Sequence, residues 1–154
     1  MSLKDWQENG WLKPHKTDIQ EISGLMDIVK RDLSDATTQG LSLDWKFGIT
    51  YNAALKLCCI ILYTQGYRPE NNLAHYRTIM ALKEIPGQNW TNYAAYLNSC
   101  RMQRNVLEYN QTNVISNEDM EKLLSFTVSF HNEVQKYLIL NFPEYIIPEP
   151  SINE

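Results

Sequence analysis

LDWKFGITYNAALKLCCIILYTQG, Leu43 to Gly66, is the stretch on which the fold turns. Ser42 precedes it as a helix cap, glycine closes it, and Leu43, Phe47, Tyr51, Ala54, Leu55, Cys58 and Leu62 recur at helical steps to about Gln65. The middle of the stretch, AALKLCCIIL, is apolar over most of its circumference. A helix of that kind belongs at the centre of a bundle or at a subunit interface.

Other helices read outward from it. Thr17-Asp-Ile-Gln20 has the form of a capping box, and Ile19, Ile22, Met26, Val29 and Leu33 make a one-sided stripe, which predicts a first helix over about 18–37. GYRPENN after the central helix is loop, and a third helix follows over about 73–84, closed by Pro86-Gly87. Thr91 opens a fourth over about 91–110. Ser116-Asn-Glu-Asp119 caps a fifth, in which Met120, Leu123, Thr127, Phe130, Val134 and Tyr137 keep the same step to about Asn141. No strand alternation, internal repeat or low-complexity segment is legible. The expected fold is all-α, an up-and-down bundle of four to five helices over 17–142, with an N-terminal arm at 1–16 anchored by Trp6 and Trp11 and an extended or disordered tail at 143–154.

A chain of 154 residues fits one domain. Its longest apolar run falls well short of the roughly 18–20 residues a membrane span needs, and the first 16 residues lack the pattern of a signal peptide. No membrane association is expected, and the expected location is cytoplasmic. Cys58, Cys59 and Cys100 match neither a disulfide framework nor a zinc spacing and read as reduced core thiols; the scattered His15, His75 and His131 suggest no metal site, and no cofactor is expected. A formal charge of −4 argues against a broad basic surface for nucleic acid while leaving room for a local basic cleft.

The fourth helix departs from the pattern. Its inward stripe runs Tyr93, Leu97, Cys100, Arg104, Leu107, which puts a guanidinium in a core-facing slot. An unpaired buried charge costs several kcal/mol, so Arg104 must meet a carboxylate, water or an anion. Arg101, Asn105 and Tyr109 extend a polar strip along the edge of that stripe. From spacing alone a structural reading is the stronger: Arg104 and Glu108 can pair at i,i+4, and Arg101 can lead its charge outward. Asp44 sits where a carboxylate favours the start of the central helix, Ala53 and Ala54 serve either a dimer contact or the core, and Arg68 and Arg77 flank the loop into the third helix.

Arg104-Asn105-Val106-Leu107-Glu108-Tyr109 resembles the signature of the HEPN superfamily, in which arginine, a polar residue, three variable residues and histidine follow one another on the fourth helix. RDL at Arg31, LDWKFGITYNAALKL, GYR at Gly66, HYRTIMAL at His75 and RMQRNVLEY extend the resemblance over most of the chain, nearest to stand-alone prokaryotic members. The resemblance implies a homodimer whose two motif helices line an inter-subunit cleft. It implies either a metal-independent endoribonuclease, often a toxin paired with a nucleotidyltransferase-type antitoxin, or an inactive binding relative. By that resemblance Arg104 holds the phosphate, Asn105 orients it, and Tyr109 stands in the histidine's place, with Arg101 and His75 as further ligand-binding groups and His75 as a candidate substitute for proton transfer. A phenol with a pKa near 10 moves protons poorly at neutral pH. The expected function is therefore binding of RNA or of a nucleotide or phosphate ligand, with ribonuclease activity weak or lost; an active toxin ribonuclease and a purely structural helical dimer are the alternatives.

Overall fold

The computed structural model describes residues 1–108 and 114–147, apart from the side chains of 107 and 108. Six α-helices occur among them: α1 (Leu3–Glu8), α2 (Ile19–Asp35), α3 (Leu43–Thr64), α4 (Ala74–Met80), α5 (Thr91–Glu108) and α6 (Asn117–Asn141). Short 3₁₀ turns follow α4 at Ala81–Glu84 and α6 at Pro143–Tyr145. The fold is all-α in character, with one addition: β1 (Leu12–Pro14) and β2 (Tyr67–Pro69) form a small antiparallel ribbon.

α3 is the centre. Phe47, Tyr51, Ala53, Ala54, Leu57, Cys58, Ile60, Ile61 and Leu62 are almost wholly removed from solvent, and α2, α4, α5 and α6 all pack against this helix. Each fully buried Leu or Ile contributes about 1.5–3 kcal/mol relative to an exposed one. Ala53 and Ala54 are 0% exposed within the single chain, so their small size serves its own core. By length and composition α3 could also cross a bilayer; the short apolar run gave no sign of this, and most of the helix is enclosed by its neighbours. Thr50, Thr64 and Thr127 are buried with hydroxyls that donate to carbonyls of their own helices, at 2.7, 2.7 and 2.8 Å, which satisfies them without a partner helix.

The helix starts follow local chemistry. Ser42 accepts from the Trp45 amide, and Asp44 lies in the first turn of α3. Ser116 and Asp119 form the reciprocal box that begins α6, and its expected stripe from Met120 to Tyr137 is buried throughout. α2 is capped differently from the expectation: Asp18 accepts from the Glu21 amide at 2.8 Å, while the Thr17 hydroxyl donates to the Glu21 carboxylate. A carboxylate one residue later captures the helix end, and α2 therefore starts at Ile19. The third expected helix is shorter and changes to 3₁₀ after Met80.

Residues 1–16 hold more structure than an arm. A second capping box, Ser2 with Asp5, starts α1, whose Leu3 and Trp6 are buried, and the Trp6 and Trp11 rings meet edge to face at 5.3 Å. The ribbon registers Lys13 against Arg68, and hydrogen bonds from the His15 amide to the Gly66 carbonyl and from the Glu70 amide to the Trp11 carbonyl extend it. Gly66 turns from α3 into β2 at φ 90°, a conformation that suits glycine. Tyr145 and Ile146 pack on the core after α6, and 148–154 lie outside the described residues.

Two measurements test this packing. Leu57→Ala should cost about 2–5 kcal/mol in urea unfolding, and Ser116→Ala about 1 kcal/mol. His131 on α6 supplies a pH signature, because burial, assisted by Lys30, lowers its pKa. The unfolded chain then binds the proton more readily, so this contribution to stability is present above the ordinary histidine pKa and is lost as pH falls through the folded one. His131→Gln should accordingly lose less melting temperature than wild type between about pH 7.5 and about pH 5.5.

Candidate anion site at the α3–α4–α5 junction

α5 buries Ala94, Leu97 and Cys100, at 0 to 1% exposure, and with them fixes the rotation of the helix. One further turn along the same side brings Arg104 over Tyr51 of α3, with the guanidinium carbon 5.6 Å from the ring centroid. Arg104 is half-buried. Its expected place on the inward seam therefore holds, and the surface beneath it is an aromatic face. Tyr93, expected on the stripe, lies at its edge and donates from its hydroxyl to Glu133 on α6.

Arg101, one turn earlier, is also half-buried. Its Nε donates to Oδ1 of Asn98 at 2.9 Å, and its guanidinium stands 5.4 Å from the ring of Tyr76 on α4. His75, the neighbour of Tyr76, is exposed and turns Nδ1 toward the Tyr51 hydroxyl at 3.4 Å. When Nδ1 carries no proton the phenol donates to it. α3, α4 and α5 thus bring together Arg101, Arg104, Tyr51 and His75.

Tyr51 is 1% exposed, and burial pushes its phenol pKa well up, opposed by the Arg104 and Arg101 charges. The hydroxyl stays protonated at neutral pH. It is a dipole held under two cations, able to pass a hydrogen bond to His75 and unable to neutralise the arginines. Guanidinium groups over aromatic faces keep their in-plane N–H donors turned to the ring edge, where a planar or tetrahedral oxyanion can meet them.

Asn105 is half-buried, and its side chain makes no hydrogen bond with another described residue. One residue on from Arg104, it points about 100° round the helix. Tyr109 and the side chains of Leu107 and Glu108 lie outside the described residues. Two participants were not singled out from sequence. Tyr51 looked like one more member of a core stripe, and Tyr76 carried no signal apart from standing between His75 and Arg77.

α4 is positioned with some strain. Leu73, at its N-cap, has φ 54° and ψ 38°, and no side chain caps the helix. The left-handed region costs a branched residue roughly 1–2 kcal/mol, and Leu73 is 55% exposed, so little packing offsets it. That turn sets the direction in which His75, Tyr76 and Arg77 leave the loop.

A cavity of about 490 Å³ lies elsewhere, among α2, α6 and residues 145–147, lined largely by Ile22, Met26, Leu138, Ile139 and Ile146. It contains none of the grouped arginines, and the cation in its lining, Lys30, is accompanied by Asp27. No cluster of three or more metal-binding side chains occurs among the described residues. Comparison with protein-family models, curated proteins and solved structures finds no match to this chain.

Tyr51→Phe keeps the ring beneath Arg104 and removes the bond to His75, so it should cost no more than about 1.5 kcal/mol, against about 3–5 kcal/mol for Tyr51→Ala. Leu73→Gly should raise the unfolding free energy by up to about 1 kcal/mol by relieving the left-handed turn. Urea unfolding followed by circular dichroism checks both.

Proposed function

We propose that this protein binds RNA or another phosphate-bearing ligand at the Arg101–Arg104 site, as a HEPN-like homodimer in which two such sites face one cleft. The observation that carries this reading is the meeting of Arg104 and Arg101 with the Tyr51 ring and the His75 imidazole. Two guanidinium groups held beside a buried phenol suit an oxyanion, and a two-fold axis would double them. Two cations per chain also have little reason to stand together in a purely structural dimer. The sequence resemblance over Arg104 and Asn105 points the same way.

The chemistry expected of the site is mainly binding. Arg104 would neutralise phosphate oxygens, Arg101 would supply a second set of donors, and Asn105 would orient the ligand. Tyr109 in place of histidine leaves that position without a group that exchanges protons readily near neutrality. A partner of the nucleotidyltransferase-antitoxin type belongs to this reading through the resemblance alone.

His75 favours a second reading, a metal-independent endoribonuclease. The 2′-hydroxyl of RNA supplies its own nucleophile: it attacks phosphorus, gives up its proton, and the departing 5′-oxygen takes one, leaving a cyclic phosphate. The enzyme then needs only charge neutralisation, positioning and a proton carrier. An exposed imidazole beside Tyr51 is suited to carry that proton.

Purified protein should retain labelled RNA in EDTA, and Arg104→Ala should weaken that affinity by at least about tenfold, the equivalent of one charge-assisted contact, while light scattering still reports a dimer. No RNA or phosphate binding by wild type would sink the reading. Cleavage by wild type that disappears in His75→Ala would establish the second one, and cleavage that arises only in Tyr109→His would show an intact binding cleft short of a proton carrier.

A further inference from the structure

The cationic surface does not stop at Arg101. The Arg77 guanidinium lies 4.2 Å from the Trp11 ring centroid and 5.8 Å from Tyr76, whose ring in turn carries Arg101 at 5.4 Å. Trp11, Arg77, Tyr76 and Arg101 alternate aromatic and cationic groups, all half-buried, from the ribbon to the α5 site. At the ribbon end Lys13 stands directly opposite Arg68. Like charges at a cross-strand position destabilise the pairing, and a ribbon selected for stability alone would not choose them. Glu70 is the ribbon's acidic residue, its amide bonded to the Trp11 carbonyl. Among the described residues no carboxylate comes within ion-pair distance of Lys13, Arg68, Arg77 or Arg101, on a chain with 18 acidic residues to choose from.

A staple that fastens the N-terminal segment would need only Arg77 on Trp11. The row continues past it, and its cations lack the acidic partners that staples ordinarily have. Aromatic rings and guanidinium planes in alternation offer bases surfaces to stack on, while the cations follow the phosphates.

We propose that this row, Lys13 and Arg68 through Trp11, Arg77 and Tyr76 to Arg101, is a track for single-stranded RNA leading to the Arg104 site. It rests on the RNA-binding reading of that site and assigns the flanking nucleotides to the ribbon and α4. The mode is sequence-tolerant, since nothing in the row offers a fixed pattern of base-edge contacts.

The test is fluorescence anisotropy on the full chain with labelled oligouridylates from two to about twelve nucleotides, over a salt series. Wild type should bind the longest oligomer at least about tenfold more tightly than the dinucleotide. The double substitution Lys13→Gln/Arg68→Gln, on exposed or half-exposed side chains, should remove most of that gain, lower the slope of log affinity against log salt by about 1.4, and leave the dinucleotide unchanged. Arg77→Gln should lose the same gain, with circular dichroism reporting whether its contact with Trp11 was needed for folding. An affinity independent of length, a double variant that binds the longest oligomer like wild type, or equal competition by duplex RNA would each overturn the track. If Arg104→Ala leaves the long oligomer bound while the double variant releases it, the Arg104 reading fails and the track stands.

Discussion

Burial of α3 on nearly every side is the constraint on which the rest depends. A helix with an apolar face can rest at a surface, whereas one that is apolar almost all round must be enclosed. α2, α4, α5 and α6 supply the enclosure, and the places they occupy are dictated by what α3 offers them. Tyr51 is part of that buried surface, so the ring under Arg104 cannot move without disturbing the centre of the core. The candidate site is consequently attached to the helix at the centre of the core. Catalytic and binding groups gain from such attachment because positioning errors of an ångström are expensive.

The same arrangement resolves the conflict between helix packing and an inward arginine. Arg104 stands over the Tyr51 ring, 5.6 Å from its centroid. A ring face lowers the electrostatic cost of partial burial and consumes none of the donors in the guanidinium plane. Tyr51 contributes through its phenol as well, since a hydroxyl whose pKa is pushed up by burial stays protonated and can hold His75 in one orientation. Core and site therefore share a residue. A change at Tyr51 would disturb the core and the surface beneath Arg104 together, while Arg101 and His75 lie further from the packed centre.

Legibility in the sequence followed the length of the signal. α3 and α6 announce themselves through caps and stripes of seven and six positions, and their observed bounds lie within a residue or two of the expected ones. α2 was displaced at its start because Thr17 and Asp18 are both competent caps, and only the fold decides which oxygen meets the Glu21 amide. The ribbon was invisible for a physical reason: strands of three residues, each with a proline at one end, show no alternation, and they exist because α1 and α3 hold them side by side. Arg101, Arg104 and His75, singled out from the sequence, lie together at the junction of α3, α4 and α5. The aromatic surfaces beneath them were missed, because a tyrosine that supports a cation and one that fills a core have the same spacing.

Net charge is a poor guide to such a surface. With 18 acidic and 14 basic side chains the molecule as a whole repels nucleic acid at long range. Under physiological salt, exposed charges more than about 8 Å apart are largely screened from one another, so what a ligand meets on contact is the local set. Lys13, Arg68, Arg77, Arg101 and Arg104 are five of the 14 basic residues, carried by the ribbon, α4 and α5, and Arg77 and Arg101 share the Tyr76 ring. On the proposed reading, the negative remainder discourages polyanions from settling elsewhere on the molecule, and so gives the basic row a selectivity of place that a uniformly cationic protein would lack.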